Sequence, residues 1–206
     1  HTRFKCDWSS DVCSSDLYVS APINQAMVGS QPDYSDPCSP IPPVYASHSS
    51  SPRFELSSSW TICCWVRITD NSLDSFIIAK SDGGSGYFIV MQGGNAYQVY
   101  AHNGTSLESV TASTFGLPPN DEYHFVTAQK TATKLRIKVD AGAWDEISET
   151  NPTSVSGLQI NIGASLDLNN GASGSIGALS IWKRELSDSE ISRLYNGGAG
   201  ALPQLP

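Results

Sequence analysis

The feature that most constrains this chain is a succession of short runs in which apolar and polar residues alternate, each closed by Gly, Asn, Asp or Ser. A period of two is the pattern of strands with one face in a core. The clearest run begins at Trp60: Trp60, Ile62, Cys64, Val66 and Ile68 share one side, and Thr61, Cys63, Trp65 and Arg67 the other. The first set is expected in the core. Strands are expected near Val44 to Ala46, Arg53 to Leu56, Trp60 to Thr69, Ser75 to Lys80, Gly86 to Gln92, Ala96 to Ala101, Glu108 to Thr111, Tyr123 to Lys130, Lys134 to Val139, Trp144 to Ile147, Leu158 to Ile162 and Ser175 to Trp182. The one helix signal is terminal. Ser187-Asp188-Ser189-Glu190 has the form of a capping box, with Ile191, Leu194 and Tyr195 on one face and Gly197 as the stop. The fold class is therefore all-β, an antiparallel sandwich closed by one short C-terminal helix.

The N-terminus does not belong to this pattern. Residues 7–17 read DWSSDVCSSDL, which is the translation of a common short-read sequencing primer, and His1-Thr2-Arg3 fits the flanking adapter in the same frame. Residues 1–17 are accordingly read as adapter read-through, and the protein's own start is expected to be missing. Residues 18–40 are rich in Pro, Ser and Asp and read as a linker or arm, residues 41–198 as the sandwich and residues 199–206 as a C-terminal linker.

The chain carries 12 basic and 20 acidic residues. Setting aside Arg3, Lys5, Asp7, Asp11 and Asp16 leaves the remainder acidic by seven charges. Such a chain lacks the footprint of a nucleic-acid or anionic-membrane binder, and no apolar run is long enough to cross a bilayer. Of five cysteines, Cys6 and Cys13 fall in the adapter stretch, leaving Cys38, Cys63 and Cys64 without a disulfide framework or metal spacing. Lys134, Arg136 and Lys138 alternate with Leu135, Ile137 and Val139 and read as a solvated face. Asn103-Gly104-Thr105 combines a tight-turn pair with a glycosylation acceptor pattern.

Several segments resemble the laminin-G-like jelly rolls of the concanavalin-A-like lectin and glucanase superfamily. WTICCWVRI, FIIAKSDGGSGYFIV, EYHFVTAQKTATKLRIKVDAGAW and LQINIGAS follow one another in that family's order. The closing SIGALSIWKRELSDSEISRLYNGG is the most specific piece. The resemblance implies a two-sheet jelly roll, usually a non-catalytic module of a secreted, surface or virion-borne protein, with Trp65 and Trp182 at packing positions. Where the family often has Asp-Glu in the last strand, this chain has Gly177-Ala178, which removes two acidic groups.

Chemistry is sparse. The superfamily's glucanases use carboxylates alternating on one strand; the nearest pattern here, Asp145 with Glu149, has a different spacing and reads as hairpin-edge charge. His124 alternates with Val126 and Ala128 and reads as a core histidine rather than a base. Neither a Ser-His-Asp nor a Cys-His set can be assembled, so no enzyme is expected. A sugar site needs aromatic surface and polar rims, and Gln98, Tyr100 and His102, facing away from the core on one strand, are its candidates, with Tyr87 and Trp144 beside predicted turns. Asp82, Asp167, Asn169 and Asn170 supply the hard oxygens that calcium takes, in loops whose composition also suits ordinary turns. Two functions remain: a carbohydrate-binding or adhesion module of a larger extracellular or cell-surface protein, recognising a glycan or protein surface, or a structural or protein-interaction domain of a phage or virus particle.

Overall fold

A computed structural model describes residues 16–18, 46–49, 51–81, 84–154, 157–165 and 171–198. Its strands are β1 (Asp16–Tyr18), β2 (Ala46–His48), β3 (Trp60–Ile68), β4 (Ser75–Ser81), β5 (Gly86–Met91), β6 (Tyr97–His102), β7 (Leu107–Thr111), β8 (Tyr123–Lys130), β9 (Lys134–Val139), β10 (Asp145–Ser148), β11 (Ile160–Ile162) and β12 (Gly174–Trp182), followed by helix α1 (Asp188–Tyr195). They form two six-stranded sheets. One runs β1-β12-β3-β8-β9-β10, the other β2-β11-β4-β5-β6-β7, and every pairing is antiparallel.

The core between the sheets is assembled from the alternating faces. Trp60, Ile62, Cys64, Val66 and Ile68 of β3, with Val126, Ala128, Leu135 and Ile137, meet Ile78, Tyr87, Ile89, Tyr97 and Val99 across the sandwich. The expected core face of β3 is thus the observed one. Most strands fall within one or two residues of expectation, and two differ more. The strand expected at Arg53 to Leu56 is a 3-10 turn, Pro52–Phe54, because Pro52 fixes its φ and the Phe54 N–H turns back to Ser51 O at 3.0 Å. The strand expected at Val44 to Ala46 is described only at Ala46–His48. At the other edge, Asp16 pairs with Trp182, Leu17 with Ile181 and Tyr18 with Ser180. This backbone pairing crosses the boundary expected at residue 17.

The first sheet is buried on both faces. Its outward residues Cys63, Trp65, Phe125 and Trp182 form a second apolar cluster with Ala178, Leu186 and Ile191, so α1 lies on that face. The capping box forms: Ser187 Oγ accepts from the Glu190 N–H at 3.3 Å and Glu190 Oε2 accepts from the Ser187 N–H at 2.8 Å. The helix ends one residue earlier than its glycine signal, at Asn196 in the left-handed region with φ 49°. A bulge between Gly177 and Ser180 places Ala178 at φ 45°, at the position where the resemblance noted the missing acids. Gly174 is required by close approach, because a Cβ there would lie 1.8 Å from Arg67 O.

The basic stripe of β9 is solvated as expected at Lys134 but not at Arg136 and Lys138. Lys138 is 8% exposed, and Trp144 lies across the stripe, its ring 4.2 Å from the Arg136 guanidinium and 4.9 Å from the Lys138 ammonium. Trp144 Nε1 then donates to Asp188 Oδ1 at 2.9 Å, and Lys138 stands 3.6 Å from the same oxygen. The stripe therefore anchors the start of α1. Among the described residues no helix is long and apolar enough to cross a membrane.

Candidate functional site

The outward face of the second sheet differs from that of the first. β4, β5 and β6 each direct one aromatic residue onto it: Phe76, Phe88 and Tyr100, all half-buried. Phe88 and Tyr100 are directly paired across β5 and β6, and their rings stack at 4.3 Å with 14° between planes. Phe76 leans on Phe88 at 5.6 Å. Because Phe88 occupies one face of Tyr100, only the other face is left, toward β7. There Ser109, small and exposed, stands opposite. The row offers ring edges and one ring face.

A polar chain holds Tyr100 in place. Its hydroxyl donates to Gln98 Oε1, Gln98 Nε2 donates to Gln92 Oε1, and Asn95 Nδ2 reaches that same oxygen at 3.4 Å. Burial, and then the nearby Asp74 carboxylate, raise the pKa of the phenol, so Tyr100 stays a neutral donor and acceptor. His102 lies two residues along the same face. Its Nδ1 accepts from the Gly104 N–H at 3.0 Å, which in the neutral ring leaves the proton on Nε2.

The five expected ligand residues are therefore not one site. Tyr100 and His102 share the open face. Gln98 shares it too but is 5% exposed and bonds only within the protein, so it positions Tyr100 rather than meeting a ligand. Tyr87 is a correction: it faces the core at 2% exposure, donating to Phe54 O at 3.1 Å. Trp144 is another, since it lies on the opposite sheet beneath the helix start. Phe76 and Phe88 were missed; their strands are apolar on both faces, and only pairing register shows which residue turns outward.

The remaining polar candidates are structural. Asp145 accepts from Ser113 Oγ, Thr114 N–H and Thr114 Oγ1, while Glu149, 6% exposed, accepts from Asn103 Nδ2 at 2.8 Å and the Asn151 N–H at 2.6 Å. The two carboxylates belong to separate networks. The same bond to Glu149 occupies the side-chain nitrogen of Asn103, the acceptor of the glycosylation pattern. His124, 7% exposed, pairs through Nδ1 with Asp140 Oδ2 at 2.9 Å and packs edge-on to Phe115, as a core histidine. Cys63 and Cys64 are free thiols, and burial pushes Cys63 up to about 12. The calcium candidates Asp82, Asp167, Asn169 and Asn170 lie outside the described residues. Among the described residues no three or more His, Cys, Asp or Glu gather at one point.

A laminin G model, described as concanavalin A-like lectin/glucanases superfamily, matches residues 44–192. The chain belongs to that superfamily. Its sandwich is similar to the binding domain of Paraclostridial Mosquitocidal Protein 1, with a TM-score of 0.63 at 13% identity over 90% of this chain and 46% of that one. Domains LG4-5 of the mouse laminin alpha1 chain give 0.55 at 13% identity over 79% and 44%. A botulinum neurotoxin type C structure, reported with a dependence of cell entry on two ganglioside molecules, gives 0.56 at 15% identity over 88% and 51%. At these identities the likeness is one of fold, and this laminin-G-like chain spans about half the length of each. No curated protein matches it by sequence.

Proposed function

We propose that this laminin-G-like domain is a non-catalytic carbohydrate-binding module of a larger secreted or surface protein, and that it binds through the outer face of β4 to β7. The observation that carries the reading is the Phe76-Phe88-Tyr100 row, with the free face of Tyr100 beside exposed Ser109 and its hydroxyl held by Gln98. Pyranose rings present an apolar C–H face flanked by hydroxyls. The Tyr100 ring matches the first, while its hydroxyl, Gln92 and His102 Nε2 match the second. The toxin structure's association with gangliosides supports a glycan as the class of ligand and carries nothing about the charge of the glycan bound here. Non-catalytic action is supported by Asp145 and Glu149, whose oxygens are engaged in separate structural networks.

The test pairs two substitutions on a glycan array run with calcium and with chelator. Tyr100→Ala should abolish the glycan signal and leave thermal stability nearly intact. Trp182→Ala, removing a 6%-exposed indole from the second cluster, should lower stability by about 3–5 kcal/mol. If Tyr100→Ala unfolds the domain, the aromatic row is structural. If wild type binds no glycan, the carbohydrate reading falls.

A further inference from the structure

The strands that build the aromatic face carry a single Lys or Arg, and it points away. Across β4, β5, β6 and β7 that residue is Lys80, which faces the core side beside Tyr87. Its side chain is 1% exposed, its ammonium lies 3.0 Å from Glu55 Oε1, and it donates to Leu158 O. No Lys or Arg of these strands is presented to the Tyr100 side, which does carry His102.

An anion is presented there. Asp74 directly precedes β4, and the register of Ser75 with Met91 and Phe76 with Val90 sets it opposite Gln92, on the side of Phe76. It is exposed, and its Oδ1 accepts from the Gly93 N–H at 2.8 Å, which fixes the carboxylate beside the hairpin that carries Gln92. Gln92 is the end of the chain that runs through Gln98 to the Tyr100 hydroxyl.

We infer that this face selects neutral saccharides over acidic ones, with Asp74 as the residue that sets the preference; the inference rests on reading the face as a sugar site. A neutral sugar lays its C–H face on Tyr100 and directs hydroxyls toward Gln92. A sialylated, uronic or sulfated sugar brings a second anion within a Debye length, about 8 Å at physiological salt, of a fixed carboxylate. It finds no strand Lys or Arg to pair with. Repulsion and uncompensated desolvation both oppose it.

The experiment uses glycan pairs that share a backbone and differ only in a carboxylate or sulfate, titrated against the wild-type protein and Asp74→Asn. Asparagine keeps the volume and an oxygen for the Gly93 N–H and removes the charge. Wild type should favour the neutral member of each pair by about tenfold, which is about 1.4 kcal/mol. Asp74→Asn should shrink that preference to about twofold while leaving neutral affinity within about twofold. Raising salt from about 0.05 to about 0.5 M should shrink it in wild type as well. If Asp74→Asn lowers the melting temperature, the wild-type salt series decides alone. Wild-type indifference to charge, a preference for acidic members, or a preference unchanged by Asp74→Asn in a stably folded protein and by salt overturns the charge inference and leaves the sugar site standing. Binding of neither member of any pair overturns both.

Discussion

Removing Ile191 tests how α1 is held to the sandwich. Ile191 is 1% exposed and is the buried residue of a helix whose other apolar side chains, Leu194 and Tyr195, are partly buried. It closes the cluster of Trp65, Phe125 and Trp182 on the outer face of the first sheet. Ile191→Ala deletes three carbon groups worth about 0.8 kcal/mol each, and the strand-borne aromatics beneath can collapse only in part. The sum is a loss of about 3 kcal/mol, or about 6–12 °C in melting temperature for a domain of this size. Leu194→Ala should cost about 1 kcal/mol, because water already reaches that side chain. Helical spacing alone puts both residues on one face and does not rank them. Guanidinium unfolding followed by tryptophan fluorescence reads both, with an unchanged slope showing that the same transition is compared. A silent Ile191→Ala, or a Leu194→Ala that costs as much, refutes the packing argument.

Arg184, hydrogen-bonded to Glu190 Oε1 at 2.8 Å, and then the Ser187 N–H hold the Glu190 carboxyl at about 2, below its ordinary 4.5. A depressed carboxyl contributes stability above its unfolded value, lost as pH falls through the folded one. Wild type should therefore lose up to about 1 kcal/mol relative to Glu190→Gln between pH 4.5 and 2, the exposed pair being screened; parallel urea midpoints across that window would refute it. Deleting residues 1–17 should leave the melting temperature within error, since β1 is a three-residue edge strand; a fall of several degrees would show that the edge pairing carries stability. Laminarin and lichenan should not be hydrolysed, and Glu149→Gln should lower stability by about 1–3 kcal/mol through its bonds to Asn103 and Asn151; hydrolysis that disappears with that substitution would establish an active site.

How much was legible in the sequence depended on whether a strand has one buried face or two. In β6 the set Tyr97, Val99 and Ala101 alternates with Gln98, Tyr100 and His102, so the outward stripe was readable, and the structure places it outward. In β5 every residue from Tyr87 to Met91 is apolar, so no period exists. Which of Tyr87 and Phe88 faces water is decided by pairing with Ala101 and Tyr100, a long-range fact. Without a period, only its place beside a turn points Tyr87 to the surface, and nothing points Phe88 there. Burial of outward residues was equally out of reach. Arg136 and Lys138 alternate as a solvated stripe should, yet Trp144 covers them. Gln98 points outward and is still buried, because the hairpin brings Gln92 and Asn95 over it.

The two outer faces show where such hidden burial ends. On the first sheet, Cys63, Trp65, Phe125 and Trp182 would be an apolar patch facing water, and α1 closes it with Ile191. On the second sheet, Phe76, Phe88 and Tyr100 are as large, yet they remain half-buried. Self-stacking at 4.3 Å recovers about 0.5–1.5 kcal/mol for the Phe88 and Tyr100 pair, less than covering the rings would give. A contiguous row of partly uncovered rings is the kind of surface that contacts form on, which is the ground of the proposed sugar face. The polar chain beneath makes the same point from the other side, because Gln98 and Gln92 are held inside a network that fixes one phenol. In the proposed reading, fixing Tyr100 lowers the entropy a ligand must overcome to stack on it, and Gln98→Ala should therefore weaken glycan binding without removing a contact to the sugar.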